Sequence, residues 1–281
     1  MKITIFDLRE KMAGESPVQE IKNYYCETNQ EAEVILYHSD DTEIKNCIGC
    51  WSCWWKTPGK CVLNDDAYKL YKDYINSDEA VILFNIENGF IDGKGKTFTD
   101  RLIQHYLPYI KIRNGECCHL KRYDKYPVIN FYFEKSGLSI QEVEVIKSYL
   151  ARMAYHFHSI CKEFLYENES LKIADLEYKK PMNEVLKVIE RKTKGKWVIY
   201  NGSPRGNNSN SKMIIEKIII GMKSQGAENI EVRNLINIKE HKMWAENFSY
   251  AENNLFVFPL YVHAMPGVVM KFFERLKPIN N

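Results

Sequence analysis

Two stretches of this chain are apolar almost without interruption: AVILF at 80–84 and LFVFPLY at 255–261. A strand with one wet face alternates polar and apolar residues, whereas a strand apolar on both faces has to be covered on both. Burial of that kind belongs to parallel sheets, whose neighbouring strands are joined by crossovers of a dozen residues or more, usually helices. The two runs are therefore of the kind found where strands alternate with helices. That alternation is present: strand patterns at KITIF (2–6), AEVILYH (32–38), EAVILFNI (79–86), YPVINFYFE (126–134) and KEFLYE (162–167) are separated by helical spacings at 16–28, 65–77, about 96–109 and 139–157. The pattern predicts an α/β, doubly wound parallel sheet over residues 1–168.

The charged stretch 169–195, with Pro181 and Gly195, reads as a linker and connecting helix. After it the pattern restarts, with strands at 196–202, 228–235 and 253–261 and helices at 209–226 and 266–277. A length of 281 residues agrees with two domains. The halves share an order: a buried strand leads through a loop to an acid–Arg–Leu helix, Asp100-Arg101-Leu102 in one and Glu274-Arg275-Leu276 in the other. Duplication is the expectation, with a second domain, 196–281, that holds three of its strands. Strands beyond Asn281, a partner or the first half complete it, or the second domain is a remnant whose third strand leaves an open edge.

Composition narrows the partners. Thirty-nine basic and thirty-seven acidic side chains give a net charge of +2, which implies neither nucleic acid nor a membrane surface. The N-terminal alternation ends at Asp7, too short for an export signal, and no apolar run nears the ~20 residues of a membrane span. A cytoplasmic protein with reduced cysteines is expected.

The loop YNGSPRGNNSNS, Tyr200 to Ser211, follows a strand and opens a helix. Gly202 and Gly206 permit tight turning, Arg205 supplies a full charge, and the helix start supplies unpaired N–H groups. Either it cradles a phosphate, or it is a polar loop whose Ser209 caps the helix. Together with FPLYVHAMPGVVMKFFERL at 258–276, it resembles the NADPH-dependent FMN reductases, a flavodoxin-like family. The resemblance implies that Ser203, Arg205, Ser209, Asn210 and Ser211 meet the FMN phosphate. It also implies that Pro259, Leu260, Tyr261 and Val262 line the flavin, with Met265 and Pro266 shaping their loop. The first half lacks both flavin loops and has Glu87 and Asp92 where the family presents Pro and Tyr, so it reads as a flavin-poor copy.

CIGCWSCWWKTPGKC places Cys47, Cys50, Cys53 and Cys61 within fifteen residues, beside Trp51, Trp54 and Trp55. Four soft ligands at this spacing suit a [4Fe–4S] cluster, zinc, or no metal at all, with packed or redox-active thiols instead. The compact C-x2-C-x2-C run is similar to the iron–sulfur flavoproteins, relatives of the same reductases. Cys117, Cys118 and His119, and the pair His156 and His158, are badly spaced for one metal and read as packing.

The expected function is an FMN-dependent NAD(P)H oxidoreductase that serves a small acceptor such as a quinone or nitro compound and forms a homo-oligomer. No catalytic acid or base is named, because the flavin carries the chemistry. An iron–sulfur flavoprotein electron carrier and a non-catalytic binding or assembly module are the alternatives.

Overall fold

The computed structural model describes residues 1–10, 16–168, 170–179 and 195–277. Its residues form two compact units: Met1–Lys45 with Trp51–Lys179, and Asn46–Cys50 with the chain beyond Lys179.

The first unit begins β1 (Lys2–Asp7), α1 (Ser16–Thr28) and β2 (Glu33–His38), then α2 (Ser52–Trp55), α3 (Ala67–Ile75) and β3 (Glu79–Phe84). A small hairpin, β4 (Ile86–Glu87) and β5 (Phe90–Ile91), leads to α4 (Gly93–Arg101). A larger hairpin, β6 (Tyr106–Arg113) and β7 (Glu116–Lys121), precedes β8 (Val128–Phe133), α5 (Ile140–His156), β9 (Cys161–Glu167) and β10 (Ser170–Asp175). The main sheet runs β2-β1-β3-β8-β9-β10, parallel except for β10, which pairs antiparallel with β9. Its first five strands adopt the doubly wound order 2-1-3-4-5 of flavodoxin-like sheets.

Both faces are covered, as the unbroken apolar runs require. Ile3, Ile5, Val81 and Leu83 pack under Val18, Ile21 and Tyr25 of α1. On the opposite face Phe6 meets Phe98 of α4, with ring centroids 4.9 Å apart, and Tyr71 of α3 lies 5.2 Å from the same ring. Helix α5 starts with a full capping box, Ser139 with Glu142, which fixes the crossover to β9.

Three expectations change. The helix placed at about 96–109 ends as an α-helix at Arg101, continues as one 3-10 turn over Leu102–His105, and then gives way to the β6–β7 hairpin. Asn114 and Gly115 both have positive φ (50° and 76°), the two-residue turn whose twist matches a hairpin. Asn88 and Gly89 (52° and 74°) make the same turn between β4 and β5, in a stretch read as loop. Residues 170–175, expected in the bridge, form an edge strand. The connecting helix around Pro181 lies outside the described residues.

The second unit contains β11 (Trp197–Asn201), α6 (Asn210–Ser224), β12 (Ile230–Asn234), α7 (His241–Glu246), β13 (Asn253–Val257) and α8 (Gly267–Phe273). Its three strands are parallel in the order β12-β11-β13. Tyr200, Phe256 and Phe272 form its centre, with Tyr200 stacked on Phe256 at 4.6 Å.

Candidate functional site

In a doubly wound sheet, ligands bind beyond the carboxyl ends of the strands where the order reverses. In the second unit that place is bounded by the loops after β11 and β13.

The loop after β11 is built from inside by Asn201. Its buried side chain accepts the Ser203 N–H (3.1 Å) and donates to the Gly206 carbonyl (3.0 Å) and to Asn234 Oδ1 (2.9 Å). Gly202 lies so close to its neighbours that a Cβ would come within 2.5 Å of Val269 and 2.9 Å of Phe258. Ser209 is the N-cap of α6: its hydroxyl accepts the Lys212 N–H (3.2 Å) and donates to Gly206 O (2.7 Å). The Ser203 hydroxyl, also buried, accepts the Arg205 N–H at 3.3 Å. These two hydroxyls shape the loop. Outward, the loop presents the exposed Arg205, the exposed Asn210, and the first-turn N–H groups of α6 at Asn210 and Ser211, which a helix cannot satisfy within itself.

The loop after β13 is folded around a two-residue turn. Tyr261 N–H bonds to Ala264 O (2.9 Å) and Ala264 N–H to Tyr261 O (3.1 Å). Its central residues, Val262 (φ 44°) and His263 (φ 62°), are both left-handed without being glycine. A β-branched residue in that region is a steric outlier, and such strain gathers at ligand sites. Leu260 is 72% exposed at the tip, Met265 packs on the core, and buried Pro266 starts α8.

A third piece comes from far off in sequence. Residues 46–50 belong to this unit. Lys271 of α8 donates to Asn46 Oδ1 at 3.1 Å. Gly49, at φ 61°, sits where a Cβ would overlap the Tyr261 hydroxyl and lie 3.3 Å from Arg205 Cγ. Arg205 and Tyr261, assigned to opposite ends of one ligand, thus flank the same glycine. Sequence reasoning missed Asn201, Asn46 and Gly49 as site residues. A buried Asn closing a strand before a glycine turn was a usable signal; nothing local marks Asn46 and Gly49.

The donors fit a flavin phosphate. A charged guanidinium and two helix-start N–H groups are donors of the kind an anion needs, and the strained turn carries the aromatic ring of Tyr261. The cysteines do not fit a cluster. Among the described residues no group of three or more His, Cys, Asp or Glu is placed to hold a metal ion, and none of the eight cysteines is in a disulfide. Cys47 and Cys50 go with the second unit, Cys53 and Cys61 with the first. There Gly59 N–H bonds to Cys53 O (3.0 Å) and Cys61 N–H to the Gln104 side chain (3.0 Å). Trp54 donates to Ile103 O (3.3 Å) and stacks on the exposed Trp51 at 4.5 Å within the first unit, while Trp55 is 66% exposed.

The same strand ends in the first unit are occupied differently. Asp7, closing β1, holds Arg9 through two bonds of 2.8 and 3.0 Å. Asp92 caps α4 through the Gly95 N–H (2.8 Å), and Glu87 is exposed on β4. A cleft of about 240 Å³ in the second unit, lined by Lys196, Glu231, Arg233, Trp244 and Tyr250, lies toward the opposite end of β11. Glu231 pairs with both of its cations, at 2.6 and 3.4 Å.

No protein-family model and no curated protein matches the chain. Among solved structures it is similar to azoreductase AzrA (TM-score 0.42, 15% identity, covering 58% of this chain and 87% of that one). It is similar also to an azoreductase from Bacillus anthracis str. Sterne (TM-score 0.42, 16% identity, covering 58% and 86%). At that distance the strand order itself is the better witness to the fold. Among the described residues no helix is long and apolar enough to cross a membrane.

Proposed function

We propose that the chain is an FMN-dependent NAD(P)H oxidoreductase whose flavin site lies in the second unit. In this reading the two units are tandem copies of one doubly wound plan, the second carrying the 2-1-3 strands and the working loops. The observation that carries it is the convergence of Arg205, the α6 start and the strained Tyr261 turn at the strand ends. Arg205 and the N–H groups of Asn210 and Ser211 hold the phosphate, with Ser203 and Ser209 keeping the loop in shape. Pro259, Leu260, Tyr261 and Val262 supply the wall that orients the ring and excludes water. A bound flavin supplies hydride and electron transfer from NAD(P)H to a small acceptor; the protein supplies position and shielding.

Titration with FMN and with riboflavin, which lacks the phosphate, tests this. Arg205→Ala removes a charge-assisted contact of about 1.5–3 kcal/mol and should weaken FMN binding without affecting riboflavin. Tyr261→Ala should weaken both and shift the bound flavin's absorbance. FMN affinity unchanged in both variants removes these loops from the site. A wild-type protein that takes up no FMN leaves the binding-module alternative.

A further inference from the structure

The CIGC segment separates from the rest of the cysteine loop and joins the second unit, and this division gives Cys47 and Cys50 a role distinct from Cys53 and Cys61. The segment is pinned twice: at Asn46 by Lys271, and at Gly49 by close approach to Tyr261 and Arg205. Each cysteine lies one residue beyond a pin. Cys50 is exposed and Cys47 half-buried, an arrangement with one thiol open to attack and a second, across Ile48 and Gly49, to resolve it. Residues 46–50 contain neither a hydrogen-bonded turn nor a bend. Gly49 is left-handed at φ 61°, and a disulfide between Cys47 and Cys50 needs their Cα atoms within about 4.4–6.8 Å, which closes a tight ring through Ile48 and Gly49. Closing that ring resets the backbone of Gly49, which sits so close to the Tyr261 hydroxyl that no Cβ would fit, and Gly49 leaves its seat.

We propose that Cys47 and Cys50 are a reversible thiol-modification site, a C-x-x-C pair whose oxidation to a disulfide withdraws Gly49 from Tyr261 and Arg205 and opens the cleft between them. The oxidant is a low-molecular-weight disulfide. The Cys50 thiolate attacks one of its sulfurs, forming a mixed disulfide and releasing one thiolate. The Cys47 thiolate then attacks the Cys50 sulfur and releases the second thiol. In balance, one protein dithiol and one small disulfide become one protein disulfide and two small thiols. Excess small thiol reverses the reaction. The consequence for FMN rests on the function proposed above; the disulfide and the movement of Gly49 do not.

The experiment equilibrates the whole chain with oxidised and reduced glutathione at varied ratios and maps the thiols by alkylation and peptide mass. In parallel, Tyr261 is replaced by 3-fluorotyrosine and followed by fluorine NMR, and FMN is titrated into each state. The expected result is a two-thiol loss mapping to Cys47–Cys50, reversed by reduced glutathione. It should come with a shifted fluorine resonance that Cys50→Ser abolishes, and with FMN binding at least tenfold tighter to the oxidised form. Pairing elsewhere, such as Cys50 with Cys53, or thiols that stay reduced at every ratio, overturns the proposal. So does a Cys47–Cys50 disulfide that leaves the fluorine resonance in place. If FMN binds neither form while the resonance still shifts, the flavin reading fails and the switch stands. Equal FMN affinity in both forms overturns the opening of the cleft.

Discussion

Val262 and His263 occupy the two central positions of a turn that Asn-Gly fills at 88–89 and again at 114–115. A left-handed L-residue costs about 1–2 kcal/mol, more for a branched side chain. The surrounding contacts hold that strain: Met265 lies on the Tyr200–Phe272 core, and Pro266 presets the start of α8. Val262→Gly should therefore raise the stability of the second unit by about 1 kcal/mol, seen as a higher thermal midpoint. A lower midpoint would show that packing by the Val262 side chain outweighs its backbone strain. Gly49 is the converse case. At φ 61° and against the Tyr261 hydroxyl it tolerates no side chain, a constraint nothing in its local sequence announces.

Among the elements, the β6–β7 hairpin shows how one carboxylate can anchor a projecting ribbon. Glu116, just past the turn, is buried and accepts from His156 Nε2 (2.7 Å), from Arg152 (3.3 Å) and from Tyr178. Burial on its own would raise its pKa. The bonds from Tyr178 and His156 and the charge of Arg152 outweigh that and hold it at about 2. A folded pKa below the unfolded value means stability that is present above about 4.5 and lost as pH falls toward about 2. Glu116→Gln should thus cost about 2 kcal/mol at neutral pH and almost nothing near pH 2. Hydrogen exchange across 106–121, compared at both pH values, checks this; an equal effect at both would show that the charge is not what anchors the hairpin. The hairpin was legible in Asn114-Gly115 and the alternation before it. It was hidden because TFTDRLIQHY reads as amphipathic helix, and helical spacing does not mark where a helix yields to a turn.

For the molecule as a whole, acid stability should be governed by buried histidines in the first unit. His105 is 2% exposed, boxed by Tyr74 (5.5 Å), Tyr123 (6.0 Å) and Tyr71 (6.1 Å), and neither ring nitrogen meets a protein partner. Burial, reinforced by the charge of Arg122, pushes its pKa down to about 3. The unfolded chain takes up this proton near pH 6.5 and the folded chain does not. Stability is therefore intact above about 6.5 and falls as pH drops toward 3, by about 1.4 kcal/mol per unit for one proton. His105→Phe should remove that share of the slope and add about 1–3 kcal/mol at neutral pH by deleting two unsatisfied buried nitrogens. Chemical denaturation at several pH values measures both. An unchanged slope would mean that His105 finds a proton partner the protein atoms do not supply.

By itself the sequence determined the class of fold, because strands apolar on both faces that alternate with helical spacings suit a helix-covered parallel sheet, but not the hairpins at 86–91 and 106–121 or the edge strand at 170–175. It also marked the loops at 203–211 and 259–262, where glycine, charge and a helix start coincide within a few residues. Only the tertiary structure decided how Cys47 to Cys61 packs. The C-x2-C-x2-C spacing is equally good for a cluster, for zinc and for thiols, because ligand spacing along a chain says nothing of whether its two ends pack into one unit or two. Here Cys47 and Cys50 go with one unit and Cys53 and Cys61 with the other, and that division rests on contacts far apart in sequence, Asn46 with Lys271 and Gly49 with Tyr261, which no local pattern encodes.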